Sequence, residues 1–441
     1  MKKLLPLFVS AALGTLSSAV WAENLAEIYN QAKENDPQLL SVAAQRDAAF
    51  EAVTSSRSAL LPQINLTAGY NINRSNRDSR DSDILSAGVG FSQELYQRSS
   101  WVSLDTAEKK ARQADSQYAA TQQGLILRVA KAYFEVLRAQ DNLEFVRAEK
   151  AAVGRQLEQT KQRFEVGLSA ITDVHDAQAQ FDGVLADEVL AENSLTNSYE
   201  ALREITGQEY SKLAVLDTKR FAASRTTESS EALIEKAQQQ NLSLLAARIS
   251  QDVARDNISL ASSGHLPSLT LDGGYNYGNN SNNSNDNAKN TSSEEYNDFK
   301  IGVNLKVPLY TGGNTTSLTK QAEFAYVAAS QDLEAAYRSV VKDVRAYNNN
   351  INASIGALRA YEQAVISAKS ALEATEAGFD VGTRTIVDVL DATRRLYDAN
   401  KNLSNARYDY ILSVLQLRQA IGTLSEQDVM DVNAGLKVAK K

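Results

Sequence analysis

The 441-residue chain contains no cysteine and only two histidines. The lack of cysteine excludes disulfides, thiolate metal sites and a lipid attached through an N-terminal cysteine. His175 and His265 belong to different motifs, and with no cysteine to complete a zinc site we expect both to be structural. The sequence therefore predicts neither a metal nor a cofactor.

Signals for catalysis and for nucleic-acid binding are also lacking. The chain has no phosphate-binding loop, no nucleophile elbow and no dinucleotide fingerprint, so we do not expect an enzyme. The formal net charge is −8, which disfavours a nucleic-acid partner. After the first two dozen residues, no apolar run is long enough for a membrane helix.

The N-terminus has the features of an export signal. Lys2 and Lys3 precede an apolar run over 4–20, and Ala22 supplies the small residue that cleavage needs. We therefore expect residues 1–22 to be a signal peptide and the mature chain to begin at Glu23. An exported protein without membrane helices can still enter a membrane as a β-barrel.

Two motifs each occur twice along the chain. Residues 61–71 return at 266–276, and residues 164–177 return at 379–392. Fixed self-similarity of this kind indicates one structural unit used twice. We expect repeat 1 to cover 23–221 and repeat 2 to cover 222–441.

Proline is scarce, which favours long helices. None of the five prolines lies between 102 and 260 or after 309. The segments 103–164 and 316–379 are free of proline, and in the first of them apolar residues recur at steps of three and four, which predicts rods of roughly 90 Å. Taken alone, this pattern is typical of a long coiled coil. We expect each helix to reverse at a hairpin tip, near 167–172 and near 382–385.

Four segments instead alternate apolar and polar residues, which predicts strands near 63–73, 84–96, 268–278 and 299–310. Each has roughly the ten-residue length that crosses an outer membrane. A soluble sheet packed on the helices is the alternative. The export signal and the tyrosines near strand ends, where aromatic girdles lie in membrane barrels, favour the membrane.

Four strands cannot close a membrane barrel, because the smallest such barrels need eight and open edges are not tolerated in lipid. Two chains would give eight strands and a filled interior, whereas three would give twelve and an aqueous lumen. Polar residues recur on the predicted inward faces, so we infer a homotrimer; they are Asn65, Thr67, Asn71, Asp272, Asn276, Asn304 and Lys306. The polar loops 73–83 and 279–297 would project from the cell.

Five strings carry a resemblance to a known family: RFEVGL at 163–168, AITDV at 170–174, GHLP at 264–267, NINAS at 350–354 and VGTRTIVDVLDAT at 381–393. In these strings the chain resembles the TolC family of outer-membrane efflux ducts. The resemblance implies an α+β membrane protein: a trimeric 12-stranded β-barrel with four strands per chain, continued by a 12-helix α-barrel through the periplasm.

The resemblance also implies a function and partners. It implies a gated exit duct for drug or toxin efflux and type I secretion, surrounded by outer-membrane lipid. The partners would be a periplasmic membrane-fusion adaptor and an inner-membrane efflux pump or ABC-type secretion transporter. Two alternatives remain from the residues alone: a general porin, and a coiled-coil adaptor or surface structural protein.

Two carboxylates are candidates for the pore constriction. Asp388 and Asp391 are three residues apart at the start of a predicted helix and so lie on one face. Three chains would form an acidic ring that attracts cations and raises the pKa of the carboxylates. An acidic residue in a first helical turn is also favoured by the helix dipole alone, and Asp173 and Asp176 repeat the pattern. The resemblance places the constriction at Asp388 and Asp391.

The resemblance further implies a gate latch. It pairs Arg384 with Thr172 and Asp173 of the neighbouring hairpin, and Gln156 with Glu376. Phe379 departs from the family pattern, in which a tyrosine hydroxyl donates to the residue matching Asp173. The two turns present small residues at the exposed tips, and the resemblance implies that an adaptor docks there, at Arg163, Val166, Gly167, Leu168, Val381, Gly382 and Thr383.

Overall fold

The computed structural model describes residues 23–74, 82–282 and 292–437. The expected signal peptide and the central parts of the two expected external loops lie outside the described residues, as do residues 438–441. In the part of the chain that is described, no helix combines the length and the apolar character needed to cross a membrane.

The first half of the chain contains helices α1 (Leu25–Asn35) and α2 (Pro37–Ser58), strands β1 (Gln63–Asn73) and β2 (Ser82–Tyr96), and helices α3 (Arg98–Glu165) and α4 (Ile171–Thr206). The short strand β3 (Val215–Leu216) follows. The second half contains α5 (Ser230–Gln240), α6 (Leu242–Ser262), β4 (Ser268–Asn282), β5 (Ser292–Lys306), α7 (Asn314–Asp380) and α8 (Ile386–Ile421). Helix α9 (Glu426–Ala434) and strand β6 (Leu436–Lys437) end the described chain.

The two halves have the same order of elements and nearly the same lengths. Helices α3 and α7 have 68 and 67 residues, and helices α4 and α8 have 36 each. Each 36-residue helix ends at a glycine in the left-handed region, Gly207 at φ 70° and Gly422 at φ 91°, a conformation that costs glycine little. The fold is thus a pair of long helical hairpins, each preceded by two short helices and two strands.

The four long strands form one antiparallel sheet in the order β1-β2-β4-β5. The apolar residues of the alternating pattern are exposed on β1 and β5, among them Ile64, Leu66, Ile301 and Leu305. Within the described residues, the outer edges of β1 and β5 have no partner strand. A single chain therefore leaves both an apolar face and two backbone edges uncovered.

On the polar face of the sheet, Asp272 joins three strands. Its carboxylate accepts hydrogen bonds from Ser92 Oγ of β2 at 2.6 Å, from Thr270 Oγ1 of its own strand at 2.7 Å and from Asn304 Nδ2 of β5 at 2.8 Å. Such side-chain bonds fix the register of neighbouring strands. Asp272 and Asn304 were both expected on the polar face.

The main hydrophobic core lies partway along the long helices, where α1, α9 and the β3–β6 pair pack on α3. Tyr133 and Phe134 are its largest fully buried side chains, and the Tyr133 hydroxyl donates to the Ala214 carbonyl at 2.5 Å. Asp36 caps α2 by accepting from the Leu39 amide at 2.8 Å, and Arg128 Nη2 of α3 donates to the same carboxylate at 2.6 Å. This core ties the short elements to the rods, and the predicted α+β class is confirmed.

Candidate functional site at the hairpin tips

The two long hairpins end in turns of the same geometry. Gly167 and Gly382 both have φ 79°. The Leu168 amide donates to the Arg163 carbonyl at 2.8 Å, and the Thr383 amide donates to the Gly378 carbonyl at 2.8 Å. These bonds satisfy the last carbonyls of α3 and α7, and the left-handed glycine is what allows them. Each tip is therefore a tight turn that strongly favours glycine at its centre.

Apolar side chains project from both tips. Val166, Leu168 and Val381 are 69%, 75% and 75% exposed. Thr383 is also exposed, although its hydroxyl donates to the Gly378 carbonyl at 3.0 Å. Nothing within 4 Å would meet a Cβ atom added at Gly167 or Gly382. The tips thus present a small apolar surface that the chain itself leaves open.

Arg163, whose place at the docking surface stays a prediction, joins the two hairpins. Its guanidinium lies 4.5 Å from the centre of the Phe379 ring, and its Nη1 donates to the Phe379 carbonyl at 3.4 Å. Its Nη2 lies 3.6 Å from Asp380 Oδ1. A cation over an aromatic face needs no hydroxyl. The Phe379 ring is therefore held by its own chain, a contact that sequence reasoning missed because the two residues lie 216 positions apart.

Below the tip, an apolar cluster holds the four long helices together. It includes Val153 and Leu157 of α3, Val184 of α4, and Ile386 and Val389 of α8. These side chains are nearly or fully buried. The cluster fixes the N-terminus of α8, which carries the expected constriction residues.

Gln156 of α3 lies beside this cluster and bonds to α8. Its Nε2 donates to Thr393 Oγ1 at 3.0 Å, and both residues are buried. Among the described residues its Oε1 has no hydrogen-bond partner. Glu376 is exposed on α7, and its pairing with Gln156 stays a prediction.

Asp388 caps the N-terminus of α8. Both the amide and the hydroxyl of Thr385 donate to Asp388 Oδ2 at 2.9 Å. The Asp388 amide donates in return to Thr385 Oγ1 at 3.3 Å, which completes a capping box. The Thr385 backbone bond, then the Thr385 hydroxyl and nearby Arg384, lower the pKa of the Asp388 carboxyl. A raised pKa was expected from repulsion between chains; within one chain, the capping bonds act in the opposite direction.

Asp391 lies one turn further along α8 and is paired with two arginines. Arg395 Nη2 lies 2.6 Å from its Oδ2, and Arg394 Nη2 lies 3.7 Å from its Oδ1. Asp391 and Arg394 also line a cleft of about 490 Å³ with Asp176 and Gln180 of α4. The two acids were expected to act alike, whereas the structure gives each a different environment.

Three of the predicted latch residues, Arg384, Thr172 and Asp173, lie at the tips. Arg384 is exposed, and within the described part of the chain its guanidinium makes no hydrogen bond. Asp173 Oδ2 accepts from Ser169 Oγ at 2.6 Å and from the Ala170 amide at 3.2 Å, so Asp173 also serves as a cap for α4. Thr172 is exposed beside it. The expected contact between Arg384 and this pair joins neighbouring hairpins and stays a prediction.

Further up the rods, Glu149 lies in a cleft of about 470 Å³ between α3, α4 and α8. Burial, followed by repulsion from Asp398 and Asp187, raises the pKa of the Glu149 carboxyl to about 7, and Arg394 and Lys401 oppose the shift. Sequence reasoning missed this group because its neighbours come from distant parts of the chain. Across the described residues there is no cluster of three or more side chains suited to a metal ion.

The raised pKa of Glu149 predicts a pH-dependent stability. The folded state favours the neutral carboxyl, so this stabilisation is complete below pH ~4.5 and is lost as the pH rises through about 7. Glu149→Gln should therefore stabilise the protein at pH 8, by about 1 kcal/mol after allowance for partial exposure, and leave it unchanged near pH 4.5. Thermal unfolding in detergent at the two pH values measures this. Glu158→Gln, on an exposed position of the same helix, is the control; a gain for Glu149→Gln at both pH values would contradict the prediction.

Comparison with known sequences gives the chain its family. The sequence model described as outer membrane efflux protein matches residues 28–208 and 233–423, one stretch in each half. The outer membrane protein TolC of Vibrio cholerae serotype O1 is 97% identical over 441 residues, which is all of both chains. The alkaline protease secretion protein AprF of Pseudomonas aeruginosa is 30% identical, with 97% of this chain and 90% of that protein covered.

Comparison with solved structures agrees on the fold. The open-state structure of the MtrE outer membrane channel of Neisseria gonorrhoeae superposes with a TM-score of 0.76 at 19% sequence identity. The match covers 94% of each chain. At that identity the similarity shows the fold alone. On the sequence matches, the chain belongs to the outer membrane efflux protein family.

Proposed function

We propose that the chain is an outer-membrane exit duct for efflux and type I secretion, and that it works as a homotrimeric, passive channel gated at its hairpin tips. The single observation that carries this proposal concerns the sheet at one end of the two long helical hairpins. Within the described residues, its edge strands β1 and β5 each have one side without a partner strand. The comparisons support both kinds of cargo. The matching family model is described as outer membrane efflux protein, and the similar protein AprF is named for the secretion of an alkaline protease.

The sheet supports the trimer. Unpaired strand edges are not tolerated in hydrocarbon, so β1 of one chain must pair with β5 of the next until the barrel closes. Three chains give twelve strands, enough for an aqueous lumen lined by the polar face around Asp272. The exposed apolar residues of β1 and β5 then contact outer-membrane lipid.

The helices support a duct that reaches across the periplasm. A 68-residue helix is about 100 Å long. In the trimer, the four long helices of each chain form a twelve-helix wall, and the tips are the end furthest from the membrane. The N-terminus of α8 with Asp388 and Asp391 forms the constriction, and Arg384 latches it to Thr172 and Asp173 of the neighbouring hairpin.

The tips support the partners. The open apolar surface at Val166, Leu168 and Val381 fits the end of another helical hairpin, and we assign it to a periplasmic membrane-fusion adaptor. The chain has no nucleotide-binding loop and performs no catalytic step, so an inner-membrane efflux pump or ABC-type transporter supplies the energy. A coiled-coil adaptor, a surface structural protein and a general porin are the alternatives that family membership disfavours.

The oligomeric state tests this function directly. We expect the protein to require detergent for extraction from the outer membrane and to run as a trimer, because only closure between chains removes the free strand edges. Light scattering coupled to gel filtration measures the mass, and circular dichroism reports helix and strand together. A membrane-inserted monomer, or release of the protein as a soluble species, would refute the model.

A further inference from the structure

The charges along the start of α8 cancel. Residues 388–395 contain two acidic residues and two basic ones: Asp388, Asp391, Arg394 and Arg395. The matching segment of the first half, 173–180, keeps both acids as Asp173 and Asp176 but has Ala179 and Gln180 in place of the arginines. The basic pair is thus confined to the copy whose helix forms the proposed constriction.

Helical geometry puts the opposite charges next to each other. Arg395 follows Asp391 by four residues, and the two side chains meet at 2.6 Å. Arg394 follows by three and lies 3.7 Å away. Asp388 is held differently, by Thr385 at the helix cap. The carboxylate that carries most of the arginine contact is therefore Asp391.

The two arginines differ in where they lie. Arg394 lines the cleft against α4 and is close enough to Glu149 to lower the pKa of that carboxyl. The Arg395 side chain is 74% exposed and makes its ion pair from the surface of α8. Of the two, Arg395 has more freedom to act on ions in the surrounding water.

We propose that Arg395, supported by Arg394, determines the ion specificity of the entrance. The guanidinium of Arg395 reaches back to Asp391, neutralises it and adds a cationic band at the level of Asp391, three residues or about 4.5 Å along the helix from Asp388. That spacing is less than a Debye length in physiological salt, so ions entering the tip experience both bands. The entrance is consequently less selective for cations than its carboxylates alone would make it, and it admits anionic solutes.

This inference rests on the proposed function, since it requires three α8 helices around one channel. The test uses the residues that the first half carries at the matching positions, which a helix of this kind already accommodates. Purified trimers of Arg395→Gln and of Arg394→Ala with Arg395→Gln are placed in planar bilayers under a potassium chloride gradient. The cation-to-anion permeability ratio should rise at least about twofold for Arg395→Gln and further for the double variant. Block by hexaamminecobalt should occur at lower concentrations.

Arg407→Gln is the matched control, because it removes the same charge from the same helix about 18 Å further along. An unchanged ratio in Arg395→Gln, or an equal change in Arg407→Gln, would overturn the assignment. The acidic variant Asp388→Ala with Asp391→Ala should lower the ratio. If it does and Arg395→Gln has no effect, the role of the arginines is wrong and the constriction stands; if neither matters, the constriction itself lies elsewhere.

Discussion

Replacing Gly167 and Gly382 with leucine should abolish efflux while trimers remain in the outer membrane. Both glycines have φ 79°, and a Cβ atom added at either position meets no atom of the chain within 4 Å. Leucine would instead project into the apolar surface on which the adaptor is proposed to dock. We expect resistance to dyes, bile salts and antibiotics to fall to the level of a deletion strain, measured as minimum inhibitory concentrations alongside trimer content by immunoblot.

Backbone strain needs a separate control, since a non-glycine residue in the left-handed region costs about 1–2 kcal/mol. Gly207 supplies it, with φ 70° and no atom within 4 Å of an added Cβ, at the opposite end of α4 from the tip. Gly207→Leu should introduce the strain of one such substitution and preserve efflux, so each tip glycine is also replaced singly for the comparison. Full resistance in the tip variant, or an equal loss in Gly207→Leu, would remove the docking proposal.

Arg384→Ser should raise the single-channel conductance of trimers several-fold. Arg384 is exposed, and within the described part of its own chain its guanidinium makes no hydrogen bond. The bond from its backbone amide to the Gly378 carbonyl, at 3.2 Å, is available to serine as well, so the substitution should leave the hairpin itself intact. What is lost is a charged donor to Thr172 and Asp173 of the neighbouring hairpin, a kind of bond that contributes roughly 1.5–3 kcal/mol. Planar-bilayer recordings at fixed salt measure the change.

The converse change is Phe379→Tyr, which keeps the ring beneath Arg163 and restores a hydroxyl donor toward Asp173. It should lower the open fraction. Arg338→Ser removes an exposed arginine of α7 that pairs with Glu334 on the same helix, and it should leave conductance unaltered. Equal conductance of Arg384→Ser and the unaltered protein would show that the latch is elsewhere.

The strands could be predicted where apolar and polar side chains alternate. They could not be predicted where the backbone hydrogen bonds continue through residues that are nearly all polar. The expected segment 63–73 and β1 have the same bounds. The segments 268–278 and 299–310 fall short of β4 and β5, which extend to Asn282 and from Ser292. The backbone pairing of β4 with β5 continues as far as Asn282 and Ser292. The residues in this part of the strands are nearly all polar, so they do not show the alternation of apolar and polar side chains that indicates a strand. At the other end, β5 stops at Lys306, two residues before Pro308, which has no amide to donate.

The tip turns could be predicted because a tight turn requires a left-handed residue, and glycine marks that position in the sequence. The pairing of individual side chains between helices could not be predicted in this way. Gln156 bonds to Thr393, 237 positions away, and Arg163 contacts Phe379, 216 positions away. Neither pair leaves a periodic signal, since both depend on how the two hairpins are rotated against each other. The ion pair of Asp391 could have been predicted, because Arg395 follows it by four residues on the same helix. Inspection of the charges over residues 388–395 would have identified this pair.

The length of the hairpins sets how the entrance can move. A rod of 68 residues acts as a lever about 100 Å long. A tilt of roughly 3° about the sheet end displaces the tip by about 5 Å, the distance of one helical turn. Such a tilt breaks no hydrogen bond inside the helix, because small adjustments of many side-chain contacts along the rod can accommodate it. In the proposed channel, opening would then require only the release of a few contacts at the far end, where the displacement is greatest and the force needed to produce it is least.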